Sequence, residues 1–192
     1  MQESFPTGCW EHGKEFIYLN IEKRLIIDKL NYILLDKMDT KSRLILQNTM
    51  RFLSNKGYQV ISEFALPNKK RVDLIALNLK KDILIVEVKS NIKNLKNDKK
   101  WQKYLKYCNF FFFSFDNCQE IKNIKKNIGV IMANNKKTEI IKKPKYKKIN
   151  LKKKNIIILK FALSAASKFH RLIDPSFKKK KNNSIFIYKK NI

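Results

Sequence analysis

The chain is poor in the residues that build most metal and cofactor centres. In 192 residues there are two histidines, His12 and His170, and three cysteines, Cys9, Cys108 and Cys118. An odd number of cysteines makes no even disulfide framework, so free thiols in a reducing cytosol are expected. No Cys/His set has zinc-site spacing. Cys9-Trp10-Glu11-His12 is a lone C-x-x-H and reads as incidental, and His170 reads as a structural residue near a helix end. Arginine is scarce too: five residues against 38 lysines. Bidentate reading of guanine is mainly an arginine task, so base-specific recognition is not expected. Long apolar runs are also missing. Ile156 to Ala166 is short and interrupted by Lys160, and reads as a buried helix rather than a membrane span. The first residues lack the basic-then-apolar layout of a secretory signal, so a cytoplasmic location is expected.

What is present is a positive charge of +27 and 44% hydrophobic residues, enough for one domain with a core. Part of the charge follows from a general Lys/Ile/Asn richness of the kind AT-rich coding produces. Its distribution carries more information. Residues 1–90 hold 15 basic and 11 acidic residues, a net of +4, whereas residues 91–192 hold 28 and five, a net of +23. A one-sided positive field favours nucleic acid bound through its phosphates.

Apolar spacing predicts a helix over 14–37 and a second from Met38-Asp39-Thr40 to Gly57. Strands follow at 58–66, 71–77 and 83–89, then a helix over 95–107 and an apolar strand from Phe110 to Phe113. That aromatic run reads as a buried central strand rather than a base-stacking platform. Further strands are expected at 128–133 and 138–141. Residues 136–154, with ten lysines and one glutamate, read as an exposed basic loop. A helix from Ile156 to Ile173 and a basic tail complete the chain. The order helix, three strands, helix, strand predicts an α/β core with a mixed sheet. The expected division is a helical extension over 1–37, a domain over 38–175 and a tail over 176–192.

The stretch "RVDLIALNLKKDILIVEVKS", residues 71 to 90, carries the chemistry. It reads as two apolar strands joined by the turn Asn78 to Asp82. Folding the hairpin symmetrically about Lys80 sets Leu77 against Ile83, Ile75 against Ile85 and Asp73 against Glu87. Opposed residues hold their Cβ atoms roughly 4.5–5.5 Å apart, where like charges destabilise. Two carboxylates so placed share a proton or need a cation. Oxygen ligands at a strand end suit Mg²⁺ or Mn²⁺, held through one or two carboxylates plus substrate phosphate. Lys89 points to the same side, placed to hold a water or to steady charge on a phosphate. An E-x-K in a strand is often only a solvated face. Asp-x13-Glu-x-Lys in two apolar strands of matching parity is a more specific pattern.

These residues resemble the PD-(D/E)XK nuclease superfamily, whose core order also matches. More narrowly, "RVDLIAL", "ILIVEVKS", "DKKWQKYLKYC" and "LKFALSAASKFHRLIDP" resemble the MmcB-like DNA repair proteins of bacteria. The resemblance implies a restriction-endonuclease-like core, with a central mixed sheet flanked by helices. It implies Asp73 and Glu87 as metal ligands with the Val88 carbonyl as a further contact, and Lys89 as the catalytic lysine. It implies in-line attack of water on a DNA phosphodiester, leaving 5′-phosphate and 3′-hydroxyl. Lys100, Trp101 and Tyr104 become candidates for contacting DNA, with core packing the alternative for the two rings. Lys152, Lys153 and Lys154 are candidates for phosphate contact, and Glu63 and Asp98 for supporting roles. Asn109 stands where an acidic residue is expected after "YC", and residues 43–56 lack the first-helix glutamate common in the superfamily. The expected partners are DNA and other repair proteins, with no membrane. The alternatives are a non-catalytic DNA-binding module of the same fold acting in a repair assembly, an RNA-directed nuclease, and an assembly factor.

Overall fold

A computed structural model describes residues 39–90, 100–117, 124–174 and 176. The expected helix over 14–37, Asp98, and the tail from 177 onward lie outside the described residues.

Helix α1 spans Thr40–Asn55. Asp39 caps it, its carboxylate accepting from the Ser42 N–H at 2.9 Å and the Ser42 hydroxyl at 2.6 Å. Those bonds hold the Asp39 carboxyl below the usual carboxylate range. Gly57 ends the turn with φ at 81°, a conformation open to glycine. Three strands follow in antiparallel order: β1, Gln59–Ala65, β2, Arg71–Leu77, and β3, Ile83–Val88. The β2–β3 register sets Leu77 against Ile83 and Ile75 against Ile85, the pairing a symmetric turn requires. β4, Phe110–Phe115, and β5, Gly129–Ala133, add in parallel, and β6, Thr138–Lys142, closes the sheet antiparallel to β5. The six strands lie in chain order, β1 through β6. Helix α2, Leu151–Ile173, follows.

The sheet separates two cores. On one face α1 packs Ile45, Leu46 and Leu53 against Leu74, Ala76, Leu84, Val86 and Phe112. On the other, Ile157 and Phe161 of α2 join Ile75, Ile85, Phe111, Phe113 and Trp101. β3 is buried along its whole length, as a central strand covered on both faces must be.

Three expectations are corrected. The helix predicted over 95–107 is, where described, a 3₁₀ segment at Lys100–Tyr104, held by burial of Trp101 and Tyr104 rather than by α-helical periodicity. The basic loop predicted over 136–154 ends early, and the strand expected within it at 138–141 is β6. α2 begins at Leu151 because the Asn150 side chain accepts from the Lys152 and Lys153 N–H groups at 3.0 and 3.4 Å. The apolar stretch from Ile156 is not a buried helix. Only Ile157 and Phe161 are buried, while Ile156, Leu159 and Leu163 are about half exposed, because α2 lays one face on the sheet.

Candidate active site

Asp73 leaves β2 where the β2–β3 ladder stops. The last paired rung is Leu74 with Val86, and one further step of that register sets Asp73 opposite Glu87. There the strands are tied by a side chain: Asp73 Oδ2 accepts from the Val88 N–H at 2.7 Å. Glu87 is buried at 8% exposure, and Val88 is buried beside it. The Lys89 N–H donates to the Ser114 carbonyl at 2.9 Å, so β4 fixes the end of β3. Beneath, the Ser114 and Thr49 hydroxyls share a buried bond of 2.7 Å, and Thr49 also bonds the Ile45 carbonyl, joining α1 to β4.

A third carboxylate approaches from β1. The β1–β2 register, with Ser62 on Leu74 and Phe64 on Val72, sets Glu63 across from Asp73. Glu63 takes φ of 51°, unusual for a residue with a side chain. Strand alternation slips there: Ile61 and Phe64, three apart, enter the same core. Glu63 Oε2 pairs with Arg71 Nε at 2.6 Å. Asp73 is consequently pushed above the ordinary aspartate value. Burial is the main cause, and the Glu63 charge adds to it, while the Val88 N–H, Lys89 and Arg71 oppose it. Glu63 therefore adds a like charge to Asp73 from the β1 side.

The candidate donor set, the Asp73 and Glu87 carboxylates and the Val88 carbonyl, consists of hard oxygen donors only. Among the described residues no group of three or more His, Cys, Asp or Glu gathers closely enough to hold a metal ion. That composition fits Mg²⁺ or Mn²⁺, which retain waters and use few protein ligands. It does not fit zinc.

The remaining expected residues divide. The Trp101 ring stacks on Phe111 with centroids 5.6 Å apart and meets Phe113 edge-on at 5.5 Å. Tyr104 is buried, its hydroxyl donating to the Arg71 carbonyl at 3.4 Å. Both rings are buried, Trp101 against β4 and Tyr104 beside β2, which favours packing over DNA contact. Lys100 is exposed at the start of the same segment. Lys152, Lys153 and Lys154 lie in the first turn of α2. The preceding segment is anchored at Asn109, which bonds the Ile83 N–H and the Lys147 carbonyl, each at 2.9 Å. Ile83 starts β3 and Glu87 lies four residues on, about 13 Å along the strand. The lysine run therefore stands toward the opposite ends of the strands from the carboxylates.

Asn109 also accounts for the missing acid. Its amide accepts at one atom and donates at the other, and a carboxylate cannot donate. Cys108, beside it, is a buried free thiol that burial pushes up to about 12, so it is inert at neutral pH. Cys9 and Cys118 lie outside the described residues.

Sequence reasoning missed Arg51, Lys168 and Arg171. With Arg71, Ser62, Glu63 and parts of α1 they line a cleft of about 570 Å³ at β1. Three of the chain's five arginines meet there, a convergence invisible in the sequence because it joins α1, β2 and α2.

Two helix-covered faces and a mixed sheet, with carboxylates and a lysine at one strand end, define an α/β protein of restriction-endonuclease-like architecture. The chain belongs to the MmcB-like family: the model of the family described as "DNA repair protein MmcB-like" matches residues 33–176. Its fold is also similar to that of the SPO1766 protein of unknown function from Silicibacter pomeroyi. The TM-score is 0.68 at 26% identity, covering 75% of this chain and 99% of the other. No curated protein matches this sequence. Among the described residues, no helix is long and apolar enough to cross a membrane.

Proposed function

We propose that this member of a DNA repair family is a Mg²⁺- or Mn²⁺-dependent deoxyribonuclease, hydrolysing phosphodiester bonds in DNA. The observation that supports it most is the meeting of Asp73 with the Glu87-Val88-Lys89 end of β3. Asp73, Glu87 and the Val88 carbonyl would hold the cation, which supplies charge neutralisation at the scissile phosphate. Lys89 holds the attacking water in line or steadies the negative charge developing on phosphate. Burial of Glu87 keeps that charge chemistry away from bulk water.

The test uses purified protein with end-labelled branched, gapped and single-stranded DNA, with and without Mg²⁺ or Mn²⁺. Cleavage by the wild type that Lys89→Ala abolishes, with metal-induced thermal stabilisation retained in the variant, is expected. No cleavage of any substrate by wild-type protein would leave a non-catalytic DNA-binding module in a repair assembly as the better reading. An RNA substrate cleaved in preference to DNA would point instead to recognition of the 2′-hydroxyl.

A further inference from the structure

The cleft at β1 differs from the rest of the basic surface. Its four cations come from three elements: Arg51 from α1, Arg71 from β2, and Lys168 and Arg171 from α2. One carboxylate, Glu63, lines it with them, for a net of +3. Each guanidinium is held through one edge by an oxygen of this chain. Arg71 Nε bonds Glu63 at 2.6 Å, Arg171 Nε bonds the Ser167 carbonyl at 3.2 Å, and Arg51 Nη1 bonds Asn48 Oδ1 at 3.3 Å. A planar fork held by one edge is pre-oriented to present its other donors. Lys168 sits half-buried among them, its ammonium acidified by burial and then by the adjacent Arg171. An anion in the cleft would relieve that repulsion.

The volume, about 570 Å³, is that of a small-molecule site and admits a nucleotide unit. Clustered cations favour a phosphate monoester, which carries close to two charges, over a diester, which carries one. Monoesters occur on DNA only at strand ends. The cleft also adjoins the carboxylates. Arg71 is two residues before Asp73 on β2, about 7 Å along the strand, and Glu63 both lines the cleft and acts on Asp73. A strand end seated here would lie within about a nucleotide step of the site.

We propose that this cleft binds a terminal phosphate of a DNA strand, so that the chain engages DNA by its ends. The assignment rests on reading the neighbouring carboxylates as a DNA-processing site, but its test does not depend on turnover. Fluorescence anisotropy in EDTA, at fixed ionic strength, compares one labelled oligonucleotide carrying a 5′-phosphate, a 3′-phosphate or hydroxyls at both ends. One phosphorylated form should bind roughly tenfold more tightly than the hydroxyl form, as a pair of charge-assisted hydrogen bonds would give. The double variant Lys168→Gln/Arg171→Gln should lose that preference, and so should Arg51→Gln on the facing helix. Equal affinity for all three oligonucleotides in the wild type overturns the proposal, and so does a preference that survives in both variants. A deoxynucleoside monophosphate binding as tightly as the phosphorylated oligonucleotide would assign the cleft to free nucleotide and overturn the DNA-end assignment. Failure to cleave DNA with Mg²⁺ leaves these binding ratios intact, so the two readings fail separately.

Discussion

Asp73 is held at a net electrostatic disadvantage, with burial and the Glu63 charge outweighing its bond to the Val88 N–H. A carboxyl whose folded value lies above its unfolded value of 3.8 binds its proton more tightly in the native state. It therefore weakens folding at neutral pH, and that penalty disappears as pH falls through the folded value toward the unfolded one. Without metal, Asp73→Asn should raise Tm at pH 7, by about 2–4 °C for each kcal/mol relieved. The asparagine oxygen can still accept from the Val88 N–H. The gain should shrink in melts below about pH 4, where the wild-type carboxyl is protonated too. At Asn109 the opposite substitution is harmful. Asn109→Asp places a carboxylate against the Lys147 carbonyl, removes its donor, and should lower stability by about 1–3 kcal/mol in urea titrations. Much at this scale was legible from strand parity. Asp73, Glu87 and Lys89 come from one hairpin whose turn sets their register. Glu63, named from the sequence for a supporting role, is set across from Asp73 by the β1–β2 register, whereas Arg51, Lys168 and Arg171 converge only through packing of distant segments.

Among the elements, strands were more legible than helix boundaries, for a physical reason. The apolar runs Ile83–Val86 of β3 and Phe110–Phe113 of β4 permit little besides buried strands. The start of α2 was hidden because lysines in a first turn oppose the helix dipole, and three of them follow Leu151. The Asn150 cap and the burial of Ile157 override that cost. The segment around Trp101 has helical spacing, but its rings are claimed by the Phe111–Phe113 surface. Packing between strands leads to one prediction. Gly129 of β5 lies beneath the Phe112 ring of β4, so an added Cβ would overlap the ring and stand 2.9 Å from Pro144 Cδ. Gly129→Ala should cost about 1–3 kcal/mol by forcing Phe112 off its place. A matching drop in urea midpoint at unchanged m-value would confirm a local packing loss.

For the molecule as a whole, the lysine run of the positive field and the carboxylate site are separable. The field is concentrated after residue 90 and was legible from charge counting, whereas its position on the surface was not. Lys152, Lys153 and Lys154 sit toward the strand ends away from Asp73. Replacing all three with Gln should weaken DNA binding with little sequence preference, and lower the log–log salt slope by up to about three. It should leave the melting response to Mg²⁺ unchanged. The order of the sheet has a different consequence, in the timing of assembly. Because the strands lie in chain order, each adds to one already made. The first three join by short antiparallel connections, whereas β4 and β5 require parallel crossovers and the closure of longer loops. As the chain emerges from the ribosome, the hairpins carrying Glu63, Asp73 and Glu87 can form before β4 exists to seal their open side. Until Phe110–Phe115 docks, the apolar edge of β3 is exposed to any strand that meets it, so the step that completes the site is also the step that protects the nascent chain from aggregation.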